Sequence, residues 1–203
     1  MKIIKIAFAT ALCISAMLPF ATAQDLNKAF VSSYEAEVLG NYTKAIQTLA
    51  AAKSNTYEVN LRMGWLQYLN GAFAESSASY LAATKQLPYS IEAKFGYVQP
   101  LAVIGNWDEV KKVYEEILRI DPQNTTAGYR LGLLHYNQNN FAKAKKYVEN
   151  VVNLYPFDYD SVVLLAWATL KLDNRADAKL LFQKALLIRP NDASALEGLQ
   201  TCK

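Results

Sequence analysis

The chain has 203 residues, with 21 basic and 18 acidic side chains, a formal charge of +3, 52% hydrophobic residues and 19% charged ones. That length and balance describe a well-packed chain with one sizeable core or a short array of repeats, and argue against disorder. The small net charge gives no general attraction for nucleic acid or anionic lipid, so neither is expected as a partner.

In chain order, the first 23 residues stand apart. Lys2 and Lys5 precede an apolar run from Ile6 to Phe20, and Ala21-Thr22-Ala23 places small residues where a signal peptidase reads. Residues 1–23 are therefore expected to be a cleavable signal peptide, with a mature chain starting at Gln24, exported to a periplasmic or secreted location in a bacterium. A retained membrane anchor is the competing reading; the run falls short of the roughly 20 apolar residues a span needs, and Pro19 interrupts its end. Leu12 before Cys13 argues against a lipoprotein. Without the leader, 19 basic residues face 18 acidic ones and Cys202 is the one cysteine left, so no internal disulfide holds the fold.

From there the chain repeats. Pro88, Pro122, Pro156 and Pro190 are spaced 34 residues apart, and two residues after each stands a helix-capping side chain: Ser90, Asn124, Asp158 and Asp192. Each unit reads as helix, turn, helix. First helices are predicted over 57–70, 91–104, 125–138 and 159–172, and second helices over 73–86, 107–120, 141–154 and 175–188. The turns Asn70-Gly71, Gly105-Asn106, Asn139-Asn140 and Asp173-Asn174 accept a left-handed backbone. Phe73, Trp107 and Phe141 follow three of these turns and are expected to pack the hairpins closed; Arg175 breaks the pattern in the last. An earlier unit starts at Leu26 behind the cap Asp25, turns at Gly40-Asn41-Tyr42, and lacks the junction proline, leaving Thr56 to cap the next helix. A short closing helix runs from Ala193 to Thr201.

Small residues in the first helices (Gly64, Gly132, Ala166, with Val98 departing) face small–large–small series in the second (Ala144, Val148, Val151; Ala178, Phe182, Ala185). With the fixed period, these features resemble the tetratricopeptide repeat family over nearly the whole mature chain. The resemblance implies an all-α, right-handed α-solenoid of about five helix-turn-helix repeats, at roughly 26–56, 57–90, 91–124, 125–158 and 159–192, plus a cap at 193–203. Residues 24–203 would form this solenoid domain, first helices inside and second helices outside. The unit 91–124, with Val110, Tyr114 and Ile117, fits the pattern least, and its two helices are expected to approach less closely.

Function is expected on the inner face. The four first-helix windows carry 7 charged residues against 17 in the second helices, which reads as a solvated outer wall. Three series at 34-residue intervals form a second apolar stripe on the first helices: Leu61, Phe95, Tyr129 and Val163; Trp65, Gln99, Leu133 and Trp167; Tyr68, Ala102, Tyr136 and Leu170. Phe30 and Tyr34 extend two of these rows. The resemblance implies that Phe30, Tyr34, Leu61, Trp65, Tyr68, Phe95, Gln99, Tyr129, Leu133, Tyr136, Val163 and Trp167 line a groove for a peptide or partner protein, with Trp and Tyr as anchors that also donate hydrogen bonds. Burial of these rings by neighbouring first helices is the competing arrangement. The family's clamp of Lys, Arg and Asn for a terminal carboxylate has no counterpart, because its positions hold Leu61, Trp65, Phe95 and Gln99. Arg62 and Arg130 read as ordinary surface residues, and Pro100 is expected to bend the helix 91–104 and widen the groove at Gln99.

No catalytic, cofactor-binding or metal-ligating set emerges. His135, the one histidine, falls on a packing stripe, and there is no cysteine pair or glycine-rich phosphate loop. The reading is a non-enzymatic scaffold, without cofactor or stable membrane insertion after leader cleavage. The alternative is a structural module of the cell envelope that self-associates through its terminal repeats, using Leu180, Leu181, Leu186 and Leu187.

Overall fold

The computed structural model describes residues 23–203; the expected signal peptide lies outside the described residues, apart from Ala23. Two compact units divide between Ser54 and Asn55. In the first, α1 (Ala23–Val38) and α2 (Tyr42–Ala51) form a helical hairpin over a core of Ala29, Ser33, Ala36, Ala45 and Leu49. Gly40 turns the chain with φ of 70°, and the Asn41 side chain caps α2 by accepting from Lys44 N at 3.1 Å. Helix α1 starts three residues before the expected Leu26, so Asp25 stands in its first turn rather than at its cap. There its charge still favours the positive end of the helix dipole.

The second unit contains α3 (Tyr57–Leu69), α4 (Phe73–Gln86), α5 (Ile91–Val103), α6 (Trp107–Ile120), α7 (Thr125–Asn137), α8 (Phe141–Leu154), α9 (Tyr159–Lys171), α10 (Arg175–Ile188) and α11 (Ala193–Thr201). Every described regular element is helical, and consecutive helices stack in sequence order as an all-α solenoid. The 34-residue period has two physical causes. Gly71, Gly105, Asn139 and Asp173 all adopt φ between 58° and 77°, the left-handed residue that ends each first helix. Leu87, Asp121, Tyr155 and Arg189, each before a proline, take φ of −125° to −131°, because the ring that follows excludes the helical region.

The caps then restart the chain. Ser90, Asn124, Asp158 and Asp192 accept from the backbone N–H of Ala93, Ala127, Ser161 and Ala195 at 2.9–3.1 Å. Thr56 occupies the corresponding place before α3 but makes no such bond; its hydroxyl serves the Glu58 carboxylate. Junctions are tied across repeats as well. The Tyr57 and Ser90 hydroxyls share a hydrogen bond of 2.8 Å, and Tyr159 bonds Asp192 while Arg189 lies 3.8 Å over its ring.

Packing follows the small–large pattern. A Cβ added to Gly64 would stand 2.7 Å from Tyr80 Cδ2, and one added to Gly96 or Gly132 would overlap Tyr80 or Val148. Val98 leaves no such notch, and α5 and α6 meet less closely than α3 and α4, or α7 and α8. The same looseness recurs between first helices: α5 and α7 pack less closely than α3 and α5, or α7 and α9. Helix α5 continues through the buried Pro100 to Val103.

Candidate functional site

The twelve predicted groove residues are all half-buried or exposed, and none is enclosed in the core. Phe30 and Tyr34 belong to the first unit, where their ring centroids lie 6.4 Å apart. In the second unit, Trp65 is 36% exposed and stacks on Tyr68 at 6.2 Å. Leu61 and Phe95 pack on the core of α4–α7, and Phe95 meets Tyr114 edge-on at 6.3 Å. Tyr129, Leu133, Tyr136, Val163 and Trp167 pack part-buried on the core built around α9 and α10. Most of these residues are thus partly packed and partly exposed, an arrangement between the groove and the covered stripe.

Two expectations need correction. The Trp167 indole N–H donates to Ser194 Oγ at 2.9 Å, because α11 folds back beside α9; that donor is used within the chain. Arg62 is buried rather than on the surface, whereas Arg130 is exposed as expected.

The hairpin rings show what the sequence left unread. Tyr68 meets Phe73 edge-on at 5.6 Å, and Tyr136 meets Phe141 in the same way at 5.3 Å. In the unit between, Ala102 stands at the tyrosine position, so Trp107 has no matching ring and does not close its hairpin. Its side chain is 47% exposed. It lines instead a cavity of about 540 Å³ beside Ala102, floored by Val98, Val110 and Tyr114 and walled by Tyr68 of α3 and Leu133 and Leu134 of α7. This size and apolar lining suit a ligand side chain with some backbone. The recess opens where α5 and α7 stand loosely and next to Gln99, beside the buried Pro100.

Polar groups are few. Gln99, Arg130 and Asn137 supply them, and Arg130 is the one charged liner. Burial raises the Tyr114 hydroxyl above its ordinary range, with Arg130 acting in the opposite direction. Tyr129 is likewise raised, by burial first and then Asp160. A second recess of about 330 Å³ lies on the other side of Arg130, with Tyr129, Asp158 and Asp160. Its carboxylates already have work: Asp158 caps α9, and Asp160 lies 3.6 Å from Arg189.

Of the predicted residues, the 540 Å³ cavity brings together Tyr68, Gln99 and Leu133. Sequence reasoning missed Trp107, Val103 and Leu134 as its walls. The signal was present in Ala102, the position where the repeated aromatic is lost.

Residues 105–162 match the tetratricopeptide repeat family model. No curated protein matches the chain. Among solved structures, a MamA protein is 17% identical with a TM-score of 0.72, over 82% of this chain and 93% of its own. A tetratricopeptide repeat protein from Parabacteroides merdae ATCC 43184 is 19% identical with a TM-score of 0.74, covering 88% and 72%. MamA from Desulfovibrio magneticus RS-1 is 20% identical with a TM-score of 0.70, covering 85% and 100%. At these identities the likeness is one of fold. Taken with the 34-residue period, the capped junctions and the notched helix pairs, it gives the chain the fold of tetratricopeptide repeat proteins, with residues 105–162 matching that family's model.

Proposed function

We propose that this chain is an exported, non-catalytic scaffold that holds a peptide or partner protein along the first helices of its solenoid. One observation carries the reading: a stripe of part-buried rings interrupted by an apolar recess of about 540 Å³. Large aromatic edges with a fixed back face lose little freedom on binding and remove much apolar area from water. Export rests on the leader pattern of residues 1–23, and mass analysis of the protein from the cell envelope should find a chain beginning at Gln24.

The groove is tested by replacing Trp65 and Tyr136 together with Ala and repeating affinity capture from the native envelope. Partner recovery should disappear while helical circular dichroism is retained. Recovery at the wild-type level would remove the groove from consideration.

Self-association is the second reading, favoured by Leu180 and Leu187, which lie seven residues apart on α10 and are 64% and 74% exposed. Leu181 and Leu186 turn inward onto the core instead. Light scattering over a concentration series decides it: growth in mass that Leu187→Lys suppresses supports stacking, and a constant monomer excludes it.

A further inference from the structure

The recess beside Ala102 deepens the groove reading and rests on it, because the repeat supplies its own measure of what fits there. In the hairpins on either side, a first-helix tyrosine and a second-helix phenylalanine form an edge-on pair, Tyr68 with Phe73 and Tyr136 with Phe141. In the α5–α6 hairpin the second ring, Trp107, is kept, and the first is reduced to a methyl group at Ala102. The space falls within the cavity that both residues line.

Two further observations bear on the occupant. Val103 and Ile104, in the turn before Trp107, are half exposed, where α3 carries Leu69-Asn70, α7 Asn137-Gln138 and α9 Lys171-Leu172. Among the turns of the second unit, this one has both positions apolar, which gives the recess an apolar flank. The rim also carries a single charge, Arg130, and among the described residues it makes no ion pair. A guanidinium held beside an apolar recess selects a carboxylate on whatever enters it.

We propose that this recess is a socket for an aromatic side chain of a partner peptide, which completes the edge-on pair with Trp107 while an adjacent acidic residue of the peptide meets Arg130. The occupant is a partner segment, not the chain itself. Phenylalanine or tyrosine matches the ring that the neighbouring repeats place at this position, and an acidic neighbour matches the lone cation.

The experiment uses the full mature chain, isotope-labelled for NMR, titrated to millimolar concentration with the hexapeptide acetyl-Gly-Ser-Phe-Glu-Ser-Gly-amide. Control peptides carry Ala for Phe, or Gln for Glu. The expected result is movement of the Trp107 indole and the Leu133 and Leu134 methyl signals, weakened about tenfold or more by loss of the peptide ring and several-fold by loss of its carboxylate. Ala102→Tyr refills the socket with the residue of the sister hairpins and should abolish the shifts. Arg130→Gln should bind the Glu and Gln peptides equally. If Ala102→Tyr lowers the melting temperature, Trp107→Ala, at an exposed position, serves in its place and should abolish the Leu133 and Leu134 methyl shifts. Shifts that persist in Ala102→Tyr, or that fall only at Trp65 and Tyr136, overturn the socket and leave the groove reading standing. Absence of any shift also overturns the socket, and the groove reading is then judged by the capture experiment alone. Trp107 signals that move with protein concentration in the absence of peptide, and stop moving in Ala102→Tyr, identify a second copy as occupant and overturn the assignment to a partner.

Discussion

Tyr80 of α4 lies with its ring against the bare Cα of Gly64, where an added carbon would stand 2.7 Å from Cδ2. Its other edge fills the equivalent notch at Gly96 of α5. One side chain thereby sets the spacing of α3, α4 and α5. In an open helix, Gly→Ala gains up to about 1 kcal/mol from propensity. Here the ring is buried and flanked on both sides, so it cannot yield. Gly96→Ala should destabilise the protein by about 1–2 kcal/mol net, lowering the melting temperature by roughly 2–8 °C. A rise in melting temperature would show that the ring has room to move.

The caps at the repeat junctions should differ in weight. Asn124 accepts from Ala127 N at 3.0 Å, so Asn124→Ala should cost about 1 kcal/mol. Thr56 holds the same place before α3 without that bond, and Thr56→Ala should cost less than half as much. Paired urea titrations of the two variants check the order.

His135 is buried and stacks on Tyr147 at 5.5 Å with the rings 3° from parallel. Neither ring nitrogen has a hydrogen-bond partner among the described residues. Burial first, then Lys143 and Lys111, holds the imidazole below its ordinary 6.5, with Glu115 opposing. The unfolded chain therefore takes up the proton first. The contribution of this residue to stability is complete above about pH 6.5 and is lost as pH falls through the lower folded value. His135→Phe keeps a ring on Tyr147 and removes two unpaired polar atoms. It should stabilise the fold by about 1–2 kcal/mol and flatten the difference between urea midpoints at about pH 8 and about pH 5.

At the alkaline end, burial pushes the Tyr80 hydroxyl up from 10.0 to about 12, with Glu92 and Tyr68 adding to it. The sign is reversed. This stability is present below pH 10 and lost as pH rises through about 12, so Tyr80→Phe should retain more helix in an alkaline titration followed by circular dichroism.

Lys94 is buried, and its ammonium meets Glu116 Oε2 at 2.6 Å. Glu116→Gln leaves that charge without its carboxylate. The Glu116 side chain is 42% exposed, so water replaces part of the loss and the cost should be about 1 kcal/mol rather than that of an enclosed pair. Adding Lys94→Met should recover most of it; a double variant weaker than Glu116→Gln alone would mean that the lysine stem matters more than its charge.

The repeat boundaries were legible because they depend on local chemistry. A proline forces the residue before it out of the helical region, a left-handed residue ends a helix, and a short polar side chain starts one; none of these needs a distant partner. The second helices accordingly run over the predicted residues, and the first helices end one residue early. The notched pairs were legible too, since a fixed period brings Gly64 and Gly132 onto equivalent faces.

What the tertiary structure alone decided concerns rings and charges whose surroundings come from other helices. Trp107 has the sequence position of Phe73 and Phe141, yet its environment depends on the side chain five residues earlier and on how closely α7 approaches. Arg62 and Arg130 are the same residue type at equivalent positions of first helices two repeats apart, and one is buried while the other borders the recess. Trp167 spends its donor on Ser194 because α11 returns beside α9. Periodicity aligns residues along the stack by itself. Whether an aligned ring is covered depends on the volumes of its neighbours, and that was settled only by the packing of the helices around it.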